Sequence, residues 1–449
     1  MRRPNILYIH SHDTGRYVQP YGYGVRTPRL QRLAEEGVLF RQAFCAAPMC
    51  SPSRAALLTG QSPHSAGMVG LAHRGFALHD YGQHIVHTLR EAGYTSTLIG
   101  VQHVARHPEW IGYDRLLAQS SPPGGDPMSE EGFIRDAVTA EDVVAAATGF
   151  LANPPEQPFF LSVGFWETHR PFPEPGPGEN PGYSRPPAPL VDTPQTRQDM
   201  AGFQASARIL DEGIGAVLDA LDTSGLADQT LVICTTDHGA PFPGMKCTLT
   251  DHGIGVMLIV RGPGGFAGGR IIDAMVSHID IFPTLCDLLG ISQPDWLQGT
   301  SLMPLVRDET RAVRDEIHAE INYHAAYEPH RAVRTSRWKY IRRYDERTGP
   351  ILSNVEDSPS KDVWLANGWR ERAPQREQLY DLVFDPNEAD NLADDPAFAE
   401  VLADMRSRLE RWMRATDDPL LHGPIVAPAG ASFNDPDSLS PADPVITVE

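Results

Sequence analysis

The stretch FCAAPMCSPSRAALLTG, Phe44 to Gly60, places Cys50 directly before Ser51-Pro52-Ser53-Arg54. Proline is tolerated in the first turn of a helix, where its missing N–H would have no partner, so the stretch predicts a helix starting at Cys50. Backbone N–H groups and the helix dipole favour an anion at that end. Taken alone, Cys50 is then either a thiol of lowered pKa or a structural one. Four further places carry groups that bind metals or move protons: Asp13, His103, His169 and the pair Asp237-His238. Each follows a short apolar run.

Those runs are NILYIH, TSTLIG, PFFLSVGF and TLVICTT, and GVMLIV is a fifth. Continuously apolar strands alternating with amphipathic helices predict an α/β fold with a large, mainly parallel sheet covered by helices on both faces. In such sheets ligands gather at the carboxyl ends of the strands, where these residues stand. TPRLQRLAEEG predicts a helix with Thr27 as N-cap, Pro28 in first position and Gly37 as its stop. The Pro/Gly-rich segment 172–195 predicts a loop walling a cleft. From about Arg311 short alternating strands (EIHAEI, HRAVRTS, WKYIRRY) precede one helix, which predicts a smaller α+β domain with an antiparallel sheet. The expected division is a catalytic domain at 1–310, the small domain at 311–416, and an extended or poorly ordered tail at 417–449.

The chain has 449 residues, 41% hydrophobic and 21% charged, with 40 prolines and 39 glycines. These are values of a globular protein with long loops. A formal net charge of −20 argues against nucleic-acid binding, while leaving room for a small anionic substrate in a local pocket. The basic cluster Arg331, Arg334, Arg337, Lys339, Arg342 and Arg343 alternates, which reads as the polar face of a hairpin rather than an anion groove. Five cysteines without paired spacing fit a reducing compartment. The apolar run Ile6–Ile9 is too short for a signal-peptide core and no stretch reaches membrane-spanning length, so a cytoplasmic protein without a membrane partner is expected.

The string Cys50-x-Pro52-Ser53-Arg54-x-x-x-x-Thr59-Gly60 resembles the signature of the type I, formylglycine-dependent sulfatases. TPRLQRLAEEGVLFRQAF, TTDHG, VSHIDIFPTL and QLYDLVFDPNEADNLADDP resemble further landmarks of that family, so the likeness spans most of the chain. Within the family, DHGAPFPGMK, GMVGL and LERWMRATDDP resemble the heparan N-sulfatases (sulfamidases) and their bacterial members. The resemblance implies an alkaline-phosphatase-like fold and hydrolysis of a sulfate ester or N-sulfate on a small anionic substrate, such as a sulfated glucosamine. It implies that a formylglycine-generating enzyme converts Cys50 to 3-oxoalanine, whose aldehyde hydrate is the nucleophile, and it gives a weak pointer to a homodimer.

By the same resemblance Asp13, residue 50, Asp237 and His238 hold a divalent metal. Ca²⁺ is favoured by oxygen ligands, with Mg²⁺ or Mn²⁺ as alternatives. Arg54 holds the formylglycine and an oxyanion, Lys246 grips the sulfate, His169 protonates the leaving atom, and His103 takes the proton from the second hydroxyl of the hydrate. Two departures stand out. The usual paired acids after the first strand are here His12-Asp13, so His12 either ligates the metal or turns away. The family's Gly-Lys-x-His is here Gly100-Val101-Gln102-His103, without the lysine. A phosphodiesterase or phosphonate monoester hydrolase on the same scaffold, or a sulfosugar-binding protein with unmodified Cys50, are the alternatives.

Several further residues have two readings. His73 and Arg74 either reach the pocket or stay outside it. Glu320, Tyr323, His324 and Arg334 read the sugar or aryl group, or form the polar edge of the small sheet. His10 is expected to be a satisfied core histidine, the second Thr-Asp-His-Gly at Asp251-His252 a loop outside the metal pair, and GPGGFAGG a turn.

Overall fold

The computed structural model describes residues 3–119, 138–156 and 158–449. The larger sheet contains β1 (Asn5–Ser11), β2 (Val38–Phe44), β3 (Thr95–Gly100), β4 (Arg115–Leu117), β5 (Phe159–Gly164), β6 (Thr230–Thr236), β7 (Gly255–Val256), β8 (Leu258–Arg261) and β9 (Arg270–Ser277). Its order is β4-β3-β5-β1-β6-β8-β2, with β7 beside β8 on one side of β2 and β9 on the other. The strands from β4 to β6 are mutually parallel, and β8 runs antiparallel to β6 and β2. The expected α/β architecture, with its mainly parallel sheet, is therefore present.

Alternation along the strands builds two cores. Ile6 and Tyr8 of β1 point to one face and Leu7 and Ile9 to the other, because successive side chains leave a strand on opposite sides. One face packs α1 (Pro28–Glu36), α4 (Ala140–Ala152) and the 30-residue α5 (Pro194–Thr223). The other packs α2 (Cys50–Thr59), α3 (Ile85–Glu91) and α6 (Ile281–Leu289). Thr27 stands at the N-cap of α1 but its side chain makes no capping bond. Asp211 of α5 accepts from the amides of Arg29 and Leu30 instead, so a distant carboxylate satisfies the helix end.

The small sheet is β10 (Glu316–Tyr323), β11 (Tyr327–Thr335), β12 (Trp338–Arg343) and β13 (Glu377–Asp381), antiparallel throughout. One face adds Ile317, Ala319 and Ile321 to the core under α2, while the other packs Leu402, Met405, Leu409 and Met413 of α8 (Ala399–Ala415). The basic stretch is a hairpin, but not a solvated face. Arg331, Lys339, Arg343 and Arg334 are buried and paired with Asp418, with Asp251 and Glu388, with Asp345, and with Asp251 respectively. Both faces of the hairpin are packed: Arg334, Lys339 and Arg343 share the face of Ala332 and Ile341 toward the larger core, and Arg331 shares the face of Val333 and Tyr340 that α8 covers, so each buried cation requires an acid.

The segment from Asp417, expected to be extended or poorly ordered, has a defined path. Asp418 pairs with Arg331 at 2.5 Å, Ile425, Ala427 and Ala431 are buried, and β14 (Ser432–Asn434) pairs with β15 (Val445–Thr447). Its sparse apolar residues sit where they fill gaps at the junction of the two sheets, which composition does not reveal. Among the described residues no helix is long and apolar enough to cross a membrane.

Candidate active site

The carboxyl ends of β3, β5, β1 and β6 are consecutive neighbours in the sheet, so the residues that follow them converge. His12 donates its amide to the Glu167 carbonyl, and Thr168 donates its amide back to the His12 carbonyl, which locks the β1 and β5 loops together. The Asp13 amide donates to Asp237 Oδ1 at 2.8 Å, joining β1 to β6. A Cβ at Gly164 would fall 2.0 Å from the Val101 carbonyl oxygen and 2.5 Å from the His10 ring, so only glycine allows the three strand ends to approach this closely. Asp13 and His103 both adopt left-handed backbone conformations, with φ of 53° and 55°. Non-glycine residues seldom do so, and such conformations cluster at functional sites.

Cys50 opens α2, as expected, with Pro52 in its first turn. Its Sγ lies 3.4 Å from His238 Nε2 and 3.9 Å from Asp13 Oδ1. His12, Asp13, Cys50 and Asp237 form one fully buried group whose donor atoms lie within 4.8 Å of one another, and His12, Cys50 and His103 form an overlapping one. His238 Nε2 is 3.2 Å from Asp13 Oδ1 and 3.8 Å from Asp237 Oδ2. His12 does not turn away: its Nδ1 is 3.4 Å from Asp237 Oδ2, yet neither ring nitrogen makes a hydrogen bond. A buried imidazole without a hydrogen bond, beside two carboxylates, is a donor set that fits a divalent cation.

The electrostatics follow from burial. Desolvation pushes the Cys50 thiol well above its ordinary pKa; Lys246 opposes this, while Asp13 and Asp237 add to it. The helix end therefore does not make this thiol a thiolate. Burial favours the neutral carboxyl of Asp237 too, but His238, Arg54, the Asp13 amide and Lys246 outweigh it and hold Asp237 below the usual carboxylate range. Burial, helped by Arg54, holds His12 well below its ordinary value; burial, helped by His73, does the same for His103. Both imidazoles are neutral near pH 7.

Lys246 Nζ donates to Asp13 Oδ2 at 2.9 Å and to Glu356 Oε1, and these two carboxylates keep the buried ammonium charged against desolvation. Arg54 is buried and anchored between β1 and β6. Its Nη2 donates to Asp237 Oδ2 (3.0 Å) and the Ser11 carbonyl (2.8 Å), its Nη1 meets His10, and Nε is the buried N–H left without a hydrogen bond. His169 Nδ1 must donate to the Arg170 carbonyl at 2.6 Å, which turns Nε2 toward Asp13 Oδ2 and Glu356 Oε1, each 3.8 Å away. His73 Nδ1 and His103 Nε2 share a hydrogen bond at 2.9 Å with the rings stacked. Val101 holds the lysine slot with its amide bonded to Gly164.

A cleft of about 900 Å³ opens over His169 and Glu356, with Arg74 and the proline loop among its walls. Arg74 lines this cleft, and His73 meets the cluster through its hydrogen bond to His103. Of the residues offered from the small domain, His324 is buried near Lys246 and Glu356, whose ammonium adds to burial in lowering its pKa. Glu320, Tyr323 and Arg334 are committed elsewhere: to His64, to the Ile425 carbonyl and to Asp251. Their side chains leave the small sheet toward its packing partners rather than toward the cleft. His252 bonds Tyr17 at 2.9 Å, outside the cluster. Glu356 and Trp166 escaped notice in the sequence. Trp166 packs 4.3 Å from the His169 ring and follows the β5 run, a placement that could have flagged it. Glu356 sits in an irregular polar segment with no periodic signal.

A family model described as Sulfatase matches residues 4–291, and one described as N-sulphoglucosamine sulphohydrolase, C-terminal, matches 245–365. The N-sulphoglucosamine sulphohydrolase of Homo sapiens is 30% identical over 94% of this chain and 92% of its own. An ulvan-active sulfatase of Formosa agariphila is 27% identical over 93% of this chain and 76% of its own. A solved protein in complex with its substrate D-glucosamine-2-N,6-O-disulfate superposes with a TM-score of 0.75 at 19% identity, covering 93% of this chain and 99% of that one, a likeness of fold. A match of this extent, over the residues that build the cluster around Cys50, establishes that the chain belongs to the sulfatase family of hydrolases.

Proposed function

We propose that this sulfatase hydrolyses the N-sulfate or sulfate ester of a sulfated sugar such as a glucosamine, with formylglycine at position 50 and a divalent cation beside it. The observation that carries the reading is Cys50 at the start of α2, with Sγ inside the buried group of His12, Asp13 and Asp237. The relationship to N-sulphoglucosamine sulphohydrolase supports glucosamine N-sulfate as the first substrate to try.

Asp13, Asp237, His12, His238 and the oxygen at position 50 would hold the cation. The carboxylates suit Ca²⁺ or Mg²⁺, and the added imidazoles suit Mn²⁺; metal analysis of the purified protein separates them. When bound, the two groups supply a nucleophilic oxygen and neutralise charge on the sulfate oxygens. The chain's own residues do the rest. Lys246 presents a fixed ammonium to the sulfate, pre-oriented by Asp13 and Glu356, so no reorganisation is required during reaction. Arg54 orients Asp237. His169 delivers a proton from Nε2 to the leaving nitrogen or oxygen, and His103, kept neutral by burial, accepts the proton from residue 50.

The test is peptide mass spectrometry across Cys50 on protein from its own host, with hydrazide labelling, followed by sulfate release from glucosamine N-sulfate. An aldehyde with sulfate release supports the reading. An intact thiol without turnover sinks it.

A further inference from the structure

The cleft over His169 and Glu356 has one wall built from the last residues of the chain. Ser440, Pro441, Asp443 and Val445 line it, together with Phe172 and Glu174 of the proline loop. Lys361 of α7 (Pro359–Ala366) ties this strap to the catalytic floor. Its buried ammonium donates to the carbonyl of Val355 (2.7 Å), the residue before Glu356, to the Leu439 carbonyl (2.6 Å) and to Asp357 Oδ1 (2.8 Å). Ser440 Oγ donates to Asp357 Oδ2 at 2.6 Å.

Both signs of charge line the cleft: Arg170 is paired with Asp199, and Arg74 donates to Asn434 and to the carbonyl oxygens of Ala325 and Pro441. The fully buried Lys246 ammonium pairs with Glu356 of the lining. Glu356 is 8% exposed, lines the cleft and keeps Oε2 without a hydrogen bond. Glu174, also in the lining, has no ion-pair partner among the described residues. Asp443 Oδ2 accepts from the amides of Ser440 and Leu439, which stabilise its ionised form. A buried carboxylate oxygen demands a donor, and unpaired carboxylates lining a cleft repel an approaching anion.

We propose that this cleft selects a singly sulfated substrate whose remainder is uncharged or cationic and offers an N–H or O–H donor to Glu356 Oε2, with Glu174 and Asp443 rejecting a second anionic group. The inference rests on the sulfatase reading and narrows its substrate class. A sulfated amine suits such a cleft. Water cleaves its N–S bond to give sulfate, and the released amine takes up a proton, so R–NH–SO₃⁻ and H₂O become R–NH₃⁺ and SO₄²⁻. The ammonium then faces carboxylates.

The first experiment compares kcat/KM for D-glucosamine N-sulfate and D-glucosamine-2-N,6-O-disulfate on the mature full-length enzyme, at low and high salt, in wild type and Glu174→Lys. A preference of about tenfold or more for the monosulfate is expected, shrinking several-fold at high salt, where exposed charges are screened within about 10 Å or less. Glu174→Lys should cut the preference about threefold or more. A second readout needs no turnover: calorimetry on full-length Cys50→Ala should show D-glucosamine binding at least about tenfold more tightly than D-glucosamine 6-sulfate. Equal kcat/KM for the two sulfates, an unchanged ratio in Glu174→Lys, or tighter binding of the 6-sulfate each overturns the inference while leaving the sulfatase reading intact. Turnover of neither compound overturns both.

Discussion

Arg54 Nη1 lies 2.6 Å from His10 Nδ1. A guanidinium has no acceptor, so the imidazole must accept there and carry its proton on Nε2, 3.3 Å from Ser162 Oγ. His10 is thus a satisfied core histidine whose tautomer is set by Arg54, and it holds the arginine that orients Asp237. His10→Leu removes that acceptor and leaves a buried charged donor unsatisfied. It should lower stability by about 1–3 kcal/mol in urea titration and reduce kcat about tenfold or more, with His10→Gln recovering much of both.

Cys50→Ala and Asp237→Ala should abolish turnover, because one removes the side chain proposed to become the nucleophile and the other the carboxylate shared by Arg54, the Asp13 amide and the proposed cation position. His252→Ala should keep more than half of wild-type kcat, since its Nδ1 only meets Tyr17 at the domain edge. Steady-state rates on one substrate decide it. Equal losses at His252 and His238 would mean that Asp237-His238 is the wrong choice of metal pair.

Asp418→Ala leaves Arg331, fully buried, without the carboxylate that grips its Nε and Nη2 at 2.5 and 2.9 Å. Breaking a buried pair from one side costs about 3–5 kcal/mol. The urea midpoint should fall accordingly, and limited proteolysis should cut first in the segment after residue 417.

Lys361→Met disconnects the strap from the Val355–Asp357 segment while preserving the apolar stem. KM for the sulfated sugar should rise about fivefold or more with a smaller change in kcat, because the leaving-group wall loosens while Lys246 and His169 stay in place. A fall in kcat with KM unchanged would mean that the strap serves the chemistry rather than binding.

Burial pushes the carboxyl of Glu328 up to about 7; Arg343, Asn354 and Arg347 oppose this and Asp345 adds to it. The folded protein therefore holds this proton over a range where the unfolded chain, titrating near 4.5, has released it. Bound protons are more numerous in the folded state between these values, so stability falls as pH rises from about 4.5 to about 7 and levels above, by up to about 3 kcal/mol. Glu328→Gln, which keeps the shape and cannot ionise, should flatten that part of the profile. Urea midpoints at pH 5 and pH 7.5 for the two proteins check it. Glu388, also pushed up to about 7 by burial despite Lys339, titrates with the same sign and remains in the variant.

The architecture and the convergence at the strand ends were legible in the residues. Ile6 to Ile9 and Leu231 to Cys234 are apolar without a break and Phe159 to Val163 is interrupted only by Ser162, which announces strands buried on both faces, and a polar residue after each run must stand at the sheet's carboxyl edge. The Cys50 helix was equally plain, because Pro52 in its first turn and Gly60 at its end are local signals. Such features depend on neighbours a few residues apart.

Other features depend on which distant segment supplies the opposite charge or fills the last gap. Glu356 meets Lys246 across 110 positions, Asp211 caps α1 from 181 positions away, and Asp418 neutralises Arg331 across 87. Four of the six cations in the hairpin that alternates as if solvated are buried, and the proline-rich tail that reads as loose forms a wall of the cleft. Hydrophobic periodicity tells a residue which face of its own element it occupies. It carries no information on what the opposing surface offers, and a buried charge takes its partner from that surface, so these pairings arise only when both sheets and their helices close on one another.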